Sequence, residues 1–223
     1  MEKEKITLLS LKKEFDDFRN TMTNFIKAVK PDFIVDDEPQ IIELSKITEI
    51  GSEIELEIGT IRLVETNYNG QNVKCWQFKD VFEPNNLGLG LPNNDNSGGY
   101  PSAKSIHIFL QDFYTKLPSW LKAQIIDVDV PCYIPNDKEI KDVNSKLFLL
   151  SATEMCQNRC DLAKEGRPLE YYIKNTPSFN NWHWLRTPDF TNEHFWGDCN
   201  DYGGVSYSDT NGYNGVAPAF CTK

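Results

Sequence analysis

Residues 189–214, near the C-terminus, hold the side chains best suited to chemistry, because aromatic rings alternate there with small polar groups. Rigid rings provide contact area at a low entropic cost, and Ser, Gly and Asn provide adaptable hydrogen bonds. This composition is typical of surfaces that bind a partner, so we predict a binding loop. Its candidate ligand-binding residues are Phe195, Trp196, Asp198, Asn200, Tyr202, Tyr207, Asp209 and Tyr213. The alternative is that these rings only pack on their own domain.

A second aromatic block precedes this loop at Trp182, Trp184 and Arg186. Tryptophan and arginine are frequent anchors of interfaces. They also suit a core, where a planar guanidinium can be satisfied by carbonyls or by a carboxylate. The residue types alone leave both a buried block and a binding platform open.

The sequence offers no recognisable catalytic or cofactor site. The three histidines, His107, His183 and His194, are scattered, and no glycine-rich phosphate loop occurs. Cys156 and Cys160 would share one face of a helix, as two zinc ligands can, but no second pair completes a site. Calcium needs about six to eight oxygen ligands, and no regular calcium loop is present. We expect neither an enzyme nor a bound metal or cofactor.

The composition excludes several classes of protein. The 223 residues include 33 acidic and 23 basic side chains, and the formal charge of -10 repels the phosphates of nucleic acids. No apolar run approaches the roughly 18 residues of a membrane-spanning helix, so membrane insertion is not expected. The charged start, Met1 to Lys5, does not fit a secretory signal. The six cysteines are therefore expected to be free thiols.

The first thirty residues are predicted to form an oligomerising helix. Apolar residues recur there at alternate steps of three and four, the a/d heptad of a coiled coil. These oligomerisation residues are Leu8, Leu11, Phe15, Phe18, Met22, Phe25 and Val29, and Pro31 ends the helix. Phenylalanine at both a and d is bulky for a two-stranded seam, which favours a trimer or a larger bundle. The alternative is an amphipathic helix, residues 1–30, that packs on its own domain.

The elements that must position the candidate site follow a connector at residues 31–46 and belong to a domain spanning 47–223. Strands are predicted from short or alternating apolar runs at 54–58, 60–64, 73–78, 128–134, 146–151 and 216–221. Asn69-Gly70 predicts a hairpin turn between the second and third of them, so a β-meander of consecutive hairpins is expected to begin the domain. Helices are expected within 105–126, with a break at Pro118, and at 153–160. Residues 83–101 and 189–214 are expected to be irregular loops.

Three blocks along the chain together resemble a known family. They are KLFLLSATE (146–154), WHWLRTP (182–188) and GVAPAF (215–220). In order and spacing they resemble a poorly characterised domain that is common in Gram-positive bacteria and their phages and is similar to C-type lectins. His183 separates tryptophans that are usually adjacent in the family, and Ala217 stands where the family usually has arginine. The resemblance implies an α+β fold, a C-type-lectin-like domain preceded by an N-terminal coiled-coil helix. It also implies that the block with Trp182, Trp184 and Arg186 is buried, because this block belongs to the core in the family.

The resemblance further implies a virion surface protein, a phage fibre or adhesin that binds a host surface receptor or glycan. Its N-terminal helix would make a homotrimer, attach it to other virion proteins and give three linked sites with increased avidity. Such a protein is assembled in the host cytoplasm and carried on the virion, which fits the missing secretory signal. Two alternatives stay open. One is a structural capsid or tail decoration protein that binds other virion proteins, and the other is an intracellular enzyme on a formylglycine-generating-enzyme-like fold.

We expect the intact chain to sediment as a trimer, because a lone helix would leave the apolar seam of residues 8–29 in water. A chain that starts at Pro39 lacks the seam and should sediment as a monomer. Analytical ultracentrifugation of both proteins measures the difference. If both are monomeric, the seam packs within one chain and the coiled coil is wrong.

Overall fold

The computed structural model describes residues 17, 18, 21, 42–157 and 159–223. Within the predicted N-terminal helix, Asp17, Phe18 and Thr21 are helical, and the Phe18 side chain is exposed. The other oligomerisation residues lie outside the described residues, so the coiled coil stays a prediction; they are Leu8, Leu11, Phe15, Met22, Phe25 and Val29. Residues 42–223 form one unit, which begins slightly before the predicted domain.

This unit is a mixed α/β structure built mostly of sheet. Its described strands are β1 (Glu53–Leu56), β2 (Gly59–Glu65), β3 (Lys74–Phe78), β4 (Phe82–Leu87), β5 (Ile125–Ile126), β6 (Val128–Ile134), β7 (Glu139–Ser145), β8 (Leu147–Phe148), β9 (His183–Pro188), β10 (Phe195–Cys199), β11 (Val205–Asp209), β12 (Asn214–Val216) and β13 (Ala219–Thr222). Its described α-helices are α1 (Lys104–Lys116), α2 (Ser119–Lys122) and α3 (Glu170–Lys174). The predicted mixture of helix and sheet is therefore confirmed.

The first sheet joins the start of the domain to its end. Its strands lie in the order β1-β2-β3-β13-β5, and β8 also pairs with β13. The antiparallel pairs β1–β2 and β2–β3 confirm the hairpins that the alternating sequence predicts. Asn69 (φ 47°) and Gly70 (φ 78°) take left-handed conformations at the β2–β3 turn, as expected for an Asn-Gly signal. The C-terminal strand β13 thus lies between β3 and β5, inside the sheet.

The second sheet has the order β11-β10-β9-β12-β4 and is antiparallel except for the parallel pair of β9 and β12. Its central strand β9 is buried at every position from His183 to Pro188. A separate hairpin of β6 and β7 pairs Val128 with Ser145 at its base and Ile134 with Glu139 at its tip. Three sheets therefore have to be held together.

Helices α1 and α2 confirm the predicted helical region and its break at Pro118. Proline lacks the backbone donor that a continuing helix needs. Helix α1 buries Ile106, Leu110 and Phe113, and the Phe113 ring meets the Phe78 ring edge-on, with 5.1 Å between their centroids. The helix thus packs against the first sheet. No helix in the described part of the chain is long and apolar enough to cross a membrane.

Two predicted loops are partly wrong, because they contain strands. Residues 83–101 include most of β4, and residues 189–214 include β10 and β11. Strand pairing overrides the weak β propensity of the Gly, Asn and Asp residues in these segments. The strand predicted at 216–221 is divided into β12 and β13 around Pro218, whose missing N–H interrupts a sheet ladder.

The helix predicted at 153–160 is also wrong, since only a single turn forms. Ser151 Oγ accepts from the Glu154 N–H (3.1 Å), and the Glu154 carboxylate accepts from the Ser151 N–H (3.0 Å), a reciprocal capping arrangement. The turn then ends at Cys156, whose φ of 58° is left-handed. Cys156 and Cys160 therefore do not share a helix face, and the argument for two zinc ligands is lost.

The Glu154 carboxylate reaches the core, where it meets Arg186 of β9. Both side chains are fully buried, and the guanidinium donates two hydrogen bonds of 2.6 Å to the two carboxylate oxygens. Arg186 also donates to the carbonyls of Leu149 (2.8 Å) and Pro131 (3.0 Å), and the Tyr68 hydroxyl donates to Glu154 (2.9 Å). Burial is the largest single influence and lowers the pKa of Arg186, but Glu154, Tyr68 and Glu165 together keep it well above its usual range. The prediction of a buried Arg186, satisfied by carbonyls and a carboxylate, is confirmed.

A second buried carboxylate, Glu165, lies beside this ion pair. Its Oε2 atom is 3.9 Å from Arg186 Nε, and the carboxylate accepts from the Tyr133 N–H (2.6 Å) and the Thr187 hydroxyl (2.8 Å). Burial raises the pKa of Glu165 to about 7, although Arg186 and these two hydrogen bonds lower it in part. One guanidinium cannot neutralise both Glu154 and Glu165. The cluster is therefore more stable when Glu165 is protonated than when both carboxyl groups are charged.

We expect Glu165→Gln to flatten the dependence of stability on pH. Because the pKa of Glu165 is raised from 4.5 to about 7, the folded state holds this proton more tightly than the unfolded chain does. Relative to the variant, the wild type should lose about 3 kcal/mol of unfolding free energy between pH 4.5 and about 7, and little more above that. Urea unfolding across this range measures the difference. The exposed Glu139→Gln is the matched control, and parallel curves for wild type and Glu165→Gln would contradict the assignment.

Candidate functional site

One end of the second sheet gathers three exposed aromatic side chains. Strand register places Cys199 of β10 and Gly215 of β12 on either side of His183 of β9. The residues just beyond these positions therefore lie at the same end of the sheet. We call this surface the aromatic end, and it consists of Trp182, Tyr202 and Tyr213.

The three rings are open to solvent, with 81% of Tyr202, 65% of Tyr213 and 39% of Trp182 exposed. Each one adjoins a different strand, and the three strands β10, β9 and β12 are neighbours in the sheet. Neighbouring strands lie about 4.8 Å apart, so the surface is about 10 Å wide at the backbone. That width suits a ligand of a few rings.

Tyr202 is presented by a tight turn between β10 and β11. The Asn200 side-chain oxygen accepts from the N–H groups of Tyr202 (3.0 Å) and Gly204 (2.8 Å), and the Asn200 carbonyl accepts from the Gly203 N–H (3.0 Å). Gly203 has a φ of 78°, and a Cβ there would collide with the Pro177 carbonyl. The backbone that carries Tyr202 is thus fixed before any ligand arrives.

Trp182 and Tyr213 are fixed by the sheet itself. The Trp182 carbonyl accepts from the Gly215 N–H (3.0 Å), where β9 and β12 begin to pair. The Tyr213 ring lies close to Gly88, where a Cβ would stand 3.5 Å from the ring atom Cε1. A surface that is already ordered loses little entropy on binding.

Buried polar side chains support this surface from within the sheet. Asp198 Oδ2 accepts from the Ser208 hydroxyl and from Asn214 Nδ2 (3.1 Å). Burial raises the pKa of Asp198, and these two hydrogen bonds lower it in part. Burial also lowers the pKa of His183 to about 4, so the imidazole is neutral where it meets the Phe179 ring, 4.2 Å away between centroids. Neither Asp198 nor His183 is open to a ligand.

The structure brings together only part of the predicted ligand-binding set. Asn200, Tyr202 and Tyr213 lie at the aromatic end. Phe195 and Asp209 pair with each other at the opposite end of β10 and β11. The aromatic end is therefore smaller than the predicted loop.

Trp196 and Asp198 are wrong as contact residues, because both are fully buried. Trp196 donates its indole N–H to the Leu185 carbonyl at 2.7 Å, which joins β10 to β9. Tyr207 lies in the middle of β11, where its ring contacts the Phe195 ring and the Arg159 guanidinium, each at 4.8 Å. Trp196 and Asp198 thus belong to the interior of the sheet, whereas Tyr207 is 37% exposed and lies away from the aromatic end.

The predicted burial of the second aromatic block is wrong for Trp182, which is exposed and is therefore a further candidate contact residue. The sequence groups it with Trp184, which is indeed fully buried and donates to the Leu87 carbonyl at 2.7 Å. Trp182 lies one residue before β9 and is therefore outside the buried run. Its position at the outer end of the motif is the only sequence signal for its exposure.

Within the described ranges, no three His, Cys, Asp or Glu side chains cluster as a metal site would require. Three carbonyl oxygens do converge near the loop that precedes β10, those of Asp189, Asn192 and Phe195. Asn96 Nδ2 occupies the point where they meet and donates to them at 2.7, 3.1 and 2.8 Å, respectively. A side-chain amide thus orders this loop in the place where a cation could otherwise bind.

We expect Trp196→Ala and Tyr202→Ala to differ sharply in stability. Truncating the buried Trp196 should lower the free energy of unfolding by about 3–5 kcal/mol, since it leaves a cavity and an unused carbonyl. Truncating the exposed Tyr202 should change it by less than about 0.5 kcal/mol. Urea unfolding measures both. Similar losses in the two variants would mean that Tyr202 belongs to the core and not to a contact surface.

Comparison with known proteins gives one match. The sequence matches a family described as "Domain of unknown function (DUF6273)" over residues 90–223, which is more than half of the chain. No curated protein and no solved structure matches it significantly. The matched region contains the Arg186–Glu154 ion pair and all three residues of the aromatic end. The chain therefore belongs to the DUF6273 family of domains of unknown function.

Proposed function

We propose that the chain is a virion surface protein, a phage fibre or adhesin, that binds a host surface receptor or glycan through the aromatic end. The observation that carries this proposal is the presence of three exposed aromatic side chains on a fixed backbone at one end of a sheet. Exposed apolar surface that is clustered commonly marks an interaction site. Tryptophan and tyrosine are also the residue types most often found as binding hot spots.

The chemistry of the rings favours a glycan. Tyrosine and tryptophan combine an apolar face with a polar edge, so they suit ligands that are apolar on one side and hydrogen-bonding on the other. A sugar ring has this character, because its C–H groups and its hydroxyls point in different directions. The formal charge of -10 disfavours a polyanionic ligand. A neutral saccharide of a few rings is the ligand that fits best.

Contacts among the three sequence blocks support the proposed C-type-lectin-like fold. Each block contacts the other two, through the ion pair Glu154–Arg186, the strand pair Trp184–Val216 and the strand pair Leu147–Phe220. Motifs that lie far apart in the chain thus form one frame. That frame is expected if the resemblance reflects a shared fold.

Oligomerisation would complete the proposed mechanism. A trimer made by residues 8–29 would carry three aromatic ends on one particle. Linked weak sites gain apparent affinity through their high effective concentration. A single domain would then bind weakly, and the intact chain would bind firmly.

We expect the triple variant Trp182→Ala, Tyr202→Ala and Tyr213→Ala to lose attachment to Gram-positive cells that bind the wild type. A hot-spot anchor contributes about 2 kcal/mol or more, so even one of the three substitutions should weaken binding roughly 30-fold. Flow cytometry with labelled protein over a panel of bacteria measures attachment, and purified wall glycans as competitors identify the ligand class.

Phe190→Ala is the matched control, because this ring is 48% exposed but lies beyond the opposite end of β9. It should attach as the wild type does. Normal attachment by the folded triple variant would reject the aromatic end as the contact surface. Binding of the wild type to virion proteins but to none of the cells would favour the decoration role instead.

A further inference from the structure

Two cysteines lie directly opposite each other in the core of the first sheet. Cys75 of β3 and Cys221 of β13 are register partners, and both are fully buried. The Cys221 side chain is near enough to contribute to the raised pKa of the Cys75 thiol, after the larger effect of burial. Both are free in the structure.

The hydrogen-bonding pattern decides whether such a pair can be bridged. The Phe78 N–H donates to the Pro218 carbonyl (2.9 Å), which makes these two residues a hydrogen-bonded pair of the antiparallel ladder. Hydrogen-bonded and non-hydrogen-bonded pairs alternate along such a ladder. Counting from Phe78–Pro218, the pair Cys75–Cys221 is a non-hydrogen-bonded one.

Non-hydrogen-bonded pairs bring their Cα atoms to about 4.5 Å, the closer of the two spacings. Disulfides span Cα separations of about 4.4–6.8 Å. The backbone of β3 and β13 therefore already has a separation at which a bridge can form.

We propose that Cys75 and Cys221 are a redox modification site, which forms a cross-strand disulfide when the chain folds in the presence of a disulfide oxidant. The other cysteines of the two sheets and the hairpin lack this arrangement. Cys132 of β6 lies opposite Lys141, and Cys199 of β10 lies opposite Val205 and His183. The site is independent of the aromatic end, because it belongs to the other sheet.

The reaction is thiol–disulfide exchange with a small disulfide such as oxidised glutathione. One cysteine thiolate attacks a sulfur of the oxidant, forms a mixed disulfide and displaces one glutathione thiolate. The second cysteine thiolate attacks the mixed disulfide at the protein sulfur and displaces the other. The two protons that leave the cysteines are taken up by the two glutathione thiolates. The cysteine pair thus gives two electrons to the oxidant.

A chain that has already folded with both cysteines reduced resists this exchange. Both sulfurs are out of contact with solvent, and burial raises the pKa of the Cys75 thiol well above its usual range, so little thiolate is present. Exchange therefore takes place while the chain is unfolded or folding. Whether Cys75 and Cys221 are reduced or bridged therefore depends on the redox conditions under which the protein folded.

The bond would close a loop that contains most of the domain, from β3 to β13. Closing a long loop reduces the entropy of the unfolded chain more than closing a short one. We expect the oxidised protein to melt about 10 °C above the reduced protein.

The test is to unfold the reduced full chain in guanidinium chloride and refold it with either reduced or oxidised glutathione. Alkylation of free thiols, digestion without reductant and mass spectrometry then map the linkages. After oxidative refolding we expect the Cys75 peptide to be linked to the Cys221 peptide, with the other cysteines alkylated. Linkage of either cysteine to a different one, or alkylation of both, would overturn the proposal.

Melting curves with and without reductant provide the second readout. Cys75→Ala should abolish the redox-dependent shift, and Cys132→Ala, a buried cysteine that faces no other cysteine, should retain it. A shift that persists in Cys75→Ala would overturn the proposal. Mapping in the wild type needs no variant, so it decides the matter even if Cys75→Ala does not fold.

Discussion

The buried ion pair between Arg186 and Glu154 connects all three sheets of the domain. Arg186 belongs to β9 in the second sheet, Glu154 follows β8 of the first sheet, and the Pro131 carbonyl that Arg186 also contacts belongs to β6 of the hairpin. Removing one partner of a buried pair leaves an uncompensated charge, which costs roughly 3–5 kcal/mol. Separating one sheet from the others would therefore break the ion pair and leave Arg186 or Glu154 buried without its partner. A domain with many turns becomes a cooperative unit through this contact.

The same principle, a side chain that satisfies backbone groups, orders the loops. Asn96 donates to three carbonyls in the loop before β10, and Asn200 accepts from two N–H groups in the turn after it. Irregular segments are rigid when their backbone donors and acceptors are satisfied in this way. The rigidity matters for the proposed binding role, because Tyr202 of the aromatic end lies in the turn that Asn200 orders.

Some aromatic residues of the C-terminal region are buried and others are exposed, and the residue type does not reveal whether a given side chain is buried. Trp184 and Trp196 are buried and donate their indole N–H groups to carbonyls of neighbouring strands, whereas Trp182 and Tyr202 stand in solvent. Trp182 and Trp184 are only two positions apart in the sequence. The difference arises because Trp184 lies within a central strand that is covered on both faces, while Trp182 lies just outside it.

The sequence by itself determined the local elements, namely the β1–β2 and β2–β3 hairpins, the break between α1 and α2 at Pro118, and strand β6. Each of these elements depends on apolar periodicity or on a turn residue, and both can be recognised from residues that are close together in the sequence. The burial of Arg186 was also predicted, because its block resembles one that lies in the core of a known family. Only the tertiary structure decided that Glu154 is its partner, that residues 153–160 turn once and stop, and that β10 and β11 form where a loop is expected. Only the tertiary structure also places Trp182, Tyr202 and Tyr213 at one end of the second sheet and Cys75 opposite Cys221. These outcomes depend on strand order and register between segments far apart in the chain, and register is set by the packing of the whole core.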